Sequence, residues 1–350
     1  MTMAIDFVAA HGSPVISGQV KSQPEHFVVR EWLGFAPDNE GDHMLVTVRK
    51  RGANTLWVAK QLANFAKVDG RDVGFAGLKD RHAVTEQAYT VPSRQLSPDD
   101  WLQCRGDEFE VIAAHRQRRK LKRGAHKGNE FEIVLTNVVG NDAALRERLE
   151  KIKQFGVPNY FGSQRFGRDG NNLLMARDWF ETGKSIHDRH QRGFALSAAR
   201  AYLFNCILQE RILRGTWNQL VAGDVANLNG SNSVFVVDGV DDVLTRRCQE
   251  FDIHPTGALW GKGELRTSGV VKELEMQAAA AYSIFANGLI AAETEQERRA
   301  LRIQVRSLEW NRENDRLILK FALNKGAFAT VVIRELMGLS SGELGENEES

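Results

Sequence analysis

The run Gly77-Leu78-Lys79-Asp80-Arg81-His82-Ala83-Val84-Thr85-Glu86-Gln87 sets one carboxylate among cations, just past a short glycine-stopped strand at 73–77. Lys79, Arg81 and His82 favour the ionised form of Asp80, because nearby positive charge stabilises a carboxylate. An ionised, positioned carboxylate suits attack on a sugar carbon or a base, the chemistry of glycosidic bonds. Residue chemistry alone favours a blander reading, a surface turn with a solvated charge cluster, since such runs are common.

Working outward from that run, the chain alternates strands and helices. Residues 26–31 and 44–49 are β-branched and partly alternating, as strands require. Asn54-Thr55 is a good capping pair for a helix with Leu56, Ala59, Ala63 and Ala66 on one face. Two further strands, 109–112 and 131–135, flank a basic run that reads as a surface connection between them. Asn141-Asp142 opens a helix whose Leu145, Leu149 and Ile152 share a face. This order predicts an α/β (α+β) fold built on a mixed sheet, not a helical bundle.

Beyond about residue 155 the texture changes to glycine-rich loops and helices, at 197–213 and in an alanine-rich stretch, 273–285. Strand character returns at 317–321, followed by a helix containing Val331, Val332 and Leu336. The simplest arrangement is a sheet domain interrupted by an insertion, with the C-terminal strand rejoining the first sheet.

The bulk properties agree with a globular chain of two domains: 350 residues, 42% apolar and 26% charged. No run of about 18 apolar residues spans a membrane, and Met1–Asp6 lacks the pattern of a signal peptide. Cys104, Cys206 and Cys248 have no CxxC spacing, which argues against a zinc site or a disulfide framework and fits a reducing cytoplasm. His187 and His190 lack a second ligand pair, and neither a P-loop nor a dinucleotide fingerprint is present, so no metal or cofactor is expected.

A net charge of +1 conceals an uneven distribution. Arg116, Arg118, Arg119, Lys120, Lys122, Arg123 and Lys127 fall in one stretch without an acid, whereas 343–350 is an acidic tail expected to fray. The basic stretch suits RNA phosphates; a solvated charged hairpin is the competing account. Arg165, Arg168 and Arg200 are weaker candidates for the same task. Glu86, near Asp80 in sequence, leaves open a paired-carboxylate glycosidase, and the basic stretch alone leaves open a non-enzymatic RNA-binding protein.

The 77–87 run resembles the catalytic motif of the tRNA pseudouridine synthase D family. Further matches follow in the family's order: Lys21 with Pro24-Glu25-His26-Phe27-Val28-Val29, then Lys127-Gly128-Asn129-Glu130-Phe131. After them come Gly156-Val157-Pro158-Asn159-Tyr160-Phe161-Gly162-Ser163-Gln164-Arg165-Phe166-Gly167 and Leu196-Ser197-Ala198-Ala199-Arg200. The last is Gly326-Ala327-Phe328-Ala329-Thr330 with Arg334-Glu335-Leu336, so the matches span nearly the whole chain.

The resemblance implies a pseudouridine-synthase-like catalytic domain, 1–154 plus 303–350, and an inserted family-specific α/β domain, 155–302. It implies an isomerase that turns uridine into pseudouridine at position 13 of tRNA, without cofactor, membrane or obligate protein partner. Asp80 would be the nucleophile and Lys21 the basic partner that keeps it ionised. Phe27, Phe131 and Phe328 would line the uridine pocket, since a base taken from its stack needs a flat apolar surface. Asn129 would read the uracil edge, and the RNA would lie in a basic cleft between the domains. From the residues alone, Lys21 is a solvent lysine, Phe131 a core residue alternating with Ile133 and Leu135, and Asn129 a turn former.

Overall fold

In the computed structural model, residues 7–338 are described; Met1–Asp6 and the acidic 343–350 lie outside them. The chain packs as two units, one of Ile16–Asn141 with Val305–Ala329, the other of 7–15, Asp142–Gln304 and 330–338. Sequence texture puts the dividing lines near 154 and 303; packing puts them at 141/142 and 304/305. Arg148 shows why, since its guanidinium donates to the carbonyls of Gly12, Ser13 and Glu335. The helix that carries Arg148 therefore goes with the N-terminal segment and the C-terminal helix.

The first unit is one large mixed sheet. Its elements are β1 (Ile16–Gln19), β2 (Phe27–Trp32), β3 (His43–Arg51), α1 (Thr55–Ala66), β4 (Gly74–Phe75), β5 (Val84–Pro92), α2 (Pro98–Trp101), β6 (Arg105–Gly106), β7 (Phe109–Gln117) and β8 (Gly128–Gly140). The chain leaves for the second unit and returns as a hairpin of Arg306–Glu313 and Arg316–Asn324. The second hairpin strand pairs with β8, and the order continues through β2, β5, β3, β7 and β6. The returning strand thus rejoins the first sheet. β2 and β5 run parallel, which the crossover through β3, α1 and β4 makes possible; their other partners are antiparallel.

Alternation decides which way the sheet faces. Met44, Val46 and Val48 on β3 point into one core with Tyr89, and α1 covers it with Val58, Ala59, Leu62 and Ala63. The Asn54 side chain accepts from Leu56 N at 2.8 Å and starts α1, as its sequence predicts. The buried stripe is rotated from the predicted one, leaving Leu56 half exposed. The basic stretch also begins earlier than a pure connection: Arg116 lies within β7, and the connection proper is 118–127.

The second unit is helical with a small sheet. It comprises α3 (Asp142–Phe155), β9 (Val157–Pro158), α4 (Asn171–Thr182), α5 (Arg189–Leu213), β10 (Val225–Leu228), β11 (Val234–Val236), α6 (Asp242–Gln249), β12 (Ile253–Leu259), α7 (Gly269–Ala281), α8 (Ser283–Ala291), β13 (Glu297–Ala300) and β14 (Arg302–Ile303), with a short C-terminal helix, Ala329–Arg334, at its edge. Helix α5 starts at Arg189 rather than Ser197, capped by Asp188, whose carboxylate accepts from Gln191 N at 2.8 Å. The alanine-rich stretch breaks at Tyr282 into α7 and α8. Four short strands in the order β11-β10-β12-β13 complete the unit. Among the described residues no helix is long and apolar enough to cross a membrane.

Candidate active site

Register places a set of side chains on one face of the large sheet. Val29 pairs with Thr85 on one side and Phe131 on the other, Thr85 pairs with Lys50, and Glu31 pairs with Asn129. Since side chains alternate along each strand, Phe27, Glu31, Lys50, Gln87, Asn129 and Phe131 share the face that α1 partly covers. The loop joining β4 to β5, which contains Asp80, is tied down on this face.

Its ties are specific. Gln87 Nε2 donates to Gly77 O at 2.5 Å, and Thr55 Oγ1 accepts from Lys79 N at 3.0 Å. Lys79 Nζ lies 2.8 Å from Glu31 Oε1 in a buried ion pair. Lys50 Nζ donates to Asp80 O at 2.9 Å, and Arg81 Nε to Gly52 O at 3.2 Å. Main chain and flanking side chains are both anchored, so the direction of the Asp80 carboxylate is fixed from below.

The carboxylate meets Lys21, 59 residues away in sequence, at 2.9 Å between Nζ and Oδ2. The Lys21 side chain is 8% exposed, so it is not a solvent lysine, and Asp80 keeps 23% of its side-chain surface open. Lys21 Nζ also sits 4.3 Å above the centroid of the Phe27 ring. Lys21 itself is in the left-handed region, φ 56°, a conformation uncommon for a lysine. The residues alone pointed to the neighbouring Lys79, Arg81 and His82 as cationic partners, and the family resemblance to Lys21; the geometry pairs Lys79 with Glu31 and brings Lys21 to Asp80.

Phe27 and Phe131 are both buried and meet edge to face, with centroids 6.2 Å apart, and Phe131 stacks on Phe321 at 5.4 Å. Phe131 is therefore core as well as neighbour to the Lys21–Phe27 contact. Phe328 is different, 39% exposed on the loop after the returning hairpin. Asn129 Oδ1 is buried without a hydrogen-bond partner among the described residues, as is Nδ1 of His126, which packs against Gly77. An unpaired buried acceptor such as Asn129 Oδ1 costs free energy and suits an incoming donor. Burial pushes the His126 imidazole below its ordinary pKa, and Lys79 adds to the effect.

Glu86, the other carboxylate of the motif, faces away. It alternates with Thr85 and Gln87 and pairs with Arg49 at 2.9 Å and Arg30 at 3.7 Å on the opposite face. A paired-carboxylate glycosidase is not what this geometry provides.

The basic stretch divides by use. Arg116 donates to the carbonyls of Ser93 and Leu96, Arg118 pairs with Glu40, and Lys120 donates to Arg71 O at 2.6 Å. Arg123 lies 3.9 Å over the Phe75 ring. Arg119 and Lys122 are exposed and their side chains make no hydrogen bond or ion pair among the described residues; the Lys127 side chain is exposed beside Gly34. Acids on a neighbouring loop, Asp38 and Glu40, thus balance part of a stretch that contains none itself.

Sequence reasoning missed Glu31, Lys50, Thr55 and Gln87. Lys50 had a signal, as the fourth inward position after Met44, Val46 and Val48. The other three are polar residues at strand or helix positions whose partners lie far along the chain.

Known proteins resemble the chain over nearly its whole length. The sequence profile described as tRNA pseudouridine synthase D (TruD) matches residues 7–178 and 170–336. The chain is 43% identical to tRNA pseudouridine synthase D of Aeromonas hydrophila over 97% of its own length and 96% of the relative's. It is 42% identical to the protein of the same name from Nitrosococcus oceani, over 94% of each. A crystal structure of a Methanosarcina mazei protein described under that name shares the fold, with TM-score 0.78 at 20% identity, over 96% of this chain and 97% of that one. A profile that covers the described chain and relatives similar over nearly their whole length place the chain in the tRNA pseudouridine synthase D family, whose function is the isomerisation of uridine to pseudouridine.

Proposed function

We propose that this chain acts on uridine at position 13 of tRNA, with Asp80 as the carboxylate that engages the nucleoside. The observation that carries the assignment is the Lys21–Asp80 ion pair at 2.9 Å, on a loop anchored at five points and with the Asp80 side chain still partly exposed. A lysine at that distance favours the ionised acid, as a nucleophile requires.

The reaction breaks the bond from uracil N1 to the sugar C1′ and forms one from C5 to C1′. The C5 hydrogen leaves as a proton and N1 gains one, so nothing is oxidised and no group is added. Attack at the sugar and passage through a transient glycal both use the same carboxylate. Between bond breaking and bond making the free uracil must be held while it turns. Exposed Phe328 offers a stacking surface, worth roughly 1–3 kcal/mol per base, and Asn129 an unpaired acceptor for an imide N–H. Phe27 and Phe131 form the apolar wall behind the Lys21 ammonium.

Of the basic stretch, Arg119, Lys122 and Lys127 are the phosphate contacts, with Arg116, Arg118, Lys120 and Arg123 shaping the connection that presents them. Cys104, Cys206 and Cys248 are all buried free thiols, in keeping with a reducing cytoplasm where tRNA is modified.

The test is release of tritium from tRNA labelled at uracil C5. Wild type is expected to release label from a tRNA with uridine at position 13 and not from one with cytidine there, and Asp80→Asn to release none while still binding. Release by Asp80→Asn at the wild-type rate would sink the carboxylate's role; equal release from the cytidine-13 tRNA would sink the position.

A further inference from the structure

We propose that Lys50 is a positioning residue for the isomerisation: by holding the main-chain carbonyl of Asp80, it sets the direction from which the carboxylate meets the nucleoside. This rests on the assignment of Asp80 above and adds a second lysine to it.

Lys50 occupies the last inward position of β3, in line with Met44, Val46 and Val48, and is only 1% exposed. A core position filled by an ammonium is unusual, because stripping water from the charge is costly unless partners replace it. Its partners are two carbonyls, Ala53 O at 2.8 Å and Asp80 O at 2.9 Å. No carboxylate lies within ion-pair distance of its Nζ among the described residues. A methionine would fill the same space at lower cost, so packing does not account for the charge.

What the charge does account for is the link it makes. Ala53 follows β3, while Asp80 lies on the loop before β5; one ammonium pins the two chain segments together. Lys21 and Lys50 divide the work, Lys21 on the carboxylate and Lys50 on the backbone of the same residue. Fixing both ends of so short a side chain leaves it little freedom. A displacement of about 1 Å in such a group is enough to cost about a hundredfold in rate.

The environment makes the link sensitive to pH. Burial pulls the Lys50 ammonium down to about 8, with Asp80 opposing and Lys79 reinforcing the shift. The charged groups facing it are those two on the loop and, across Asp80, Lys21; its register partners, Thr85 on β5 and Phe109 on β7, are uncharged. Deprotonation converts two charge-assisted hydrogen bonds into weaker neutral ones. The rate then falls as pH rises through that value, while tRNA affinity does not follow it.

The experiment is single-turnover tritium release from C5-labelled tRNA, from about pH 6.5 to about 9.5, for wild type, Lys50→Met, Lys50→Gln and Asp80→Asn. Wild type is expected to show an alkaline decline. Lys50→Met should lose roughly 10- to 100-fold in rate at neutral pH with unchanged tRNA Kd, and lose the decline as well. Lys50→Gln, which keeps a neutral donor, should recover part of the rate and remain independent of pH. A folded Lys50→Met with the wild-type rate, or with the same alkaline decline, overturns the proposal. If circular dichroism shows Lys50→Met unfolded, the wild-type and Lys50→Gln profiles decide, and a flat wild-type profile overturns it. Asp80→Asn separates the two readings: an active Asp80→Asn removes the premise, whereas an inactive one beside a normal Lys50→Met removes Lys50 alone.

Discussion

Lys79 and Glu31 form an ion pair of 2.8 Å with side chains only 6% and 1% exposed, and this pair ties the loop of Asp80 to the middle of the sheet. Glu31 also accepts from Ala88 N at 3.1 Å, so its carboxylate serves both the loop and β5. Removing one member of a buried pair leaves a desolvated charge and typically costs about 3–5 kcal/mol. Lys79→Met is expected to lose about that much stability in urea, with faster amide exchange across the 77–83 loop. The double variant Lys79→Met with Glu31→Leu should recover much of it. Single variants within about 0.5 kcal/mol of wild type would show that the pair contributes little.

Phe131 and Phe328 are both aromatic matches to the family, yet their surroundings predict opposite phenotypes. Phe131 is buried between Phe27 and Phe321, and truncating a phenylalanine there costs about 3–5 kcal/mol of stability. Phe328 is 39% exposed, so Phe328→Ala should leave the melting temperature within about 2 °C of wild type. Its expected effect is on turnover or tRNA affinity, by roughly the 1–3 kcal/mol of one base stack. A Phe328→Ala enzyme with wild-type kinetics would remove that ring from the uridine pocket.

The strand pattern was legible because burial and alternation coincide: Met44, Val46 and Val48 declare an inward face on their own. The sequence marks Asp80 through a motif matched to a family, not through its charge environment, since its lysine partner stands 59 residues away and no local pattern announces it. The polar residues under the loop were illegible for a related reason. Glu31, Thr55 and Gln87 look like ordinary strand and helix positions until register brings β2, α1 and β5 together. The helix boundary at Arg189 was missed because 189–194 is polar or exposed, so apolar periodicity begins only at Ala195. In the four-stranded sheet of the second unit, β10, β11 and β13 are too brief for a period of two to show, and β12 is buried on both faces and does not alternate.

The basic connection offers a graded test of phosphate contact. Arg119→Ala and Lys122→Ala are each expected to weaken tRNA binding and to reduce the slope of log K against log salt by about one. Arg118→Ala should change the slope less, because Glu40 already neutralises that guanidinium. Arg116→Ala should lower stability instead, since its two carbonyl partners, on Ser93 and Leu96, lose their donor. Binding titrations at several salt concentrations check the ranking, and an equal slope change for all four would refute the division of roles.

In the second unit the sharpest pH signal is His254, buried on β12, whose Nδ1 accepts from Arg302 Nε at 3.2 Å. Burial first, and the Arg302 guanidinium second, push its pKa down to about 3. The unfolded chain holds an ordinary imidazole near 6.5, so below that pH the unfolded state binds a proton that the folded state refuses. Stability from this site is therefore full above about pH 6.5 and declines as pH falls towards 3, by about 1.4 kcal/mol per unit within that window. Protonation would also set an imidazolium against Arg302, which is itself held by Asn218 O at 3.0 Å and Ile253 O at 3.2 Å and cannot turn away cheaply. His254→Gln keeps an acceptor for Arg302 and removes the titration. Urea unfolding at about pH 7 and about pH 5 should show wild type losing roughly 2 kcal/mol more than His254→Gln over that interval. Equal losses in the two proteins would mean that the acid sensitivity of this unit arises elsewhere.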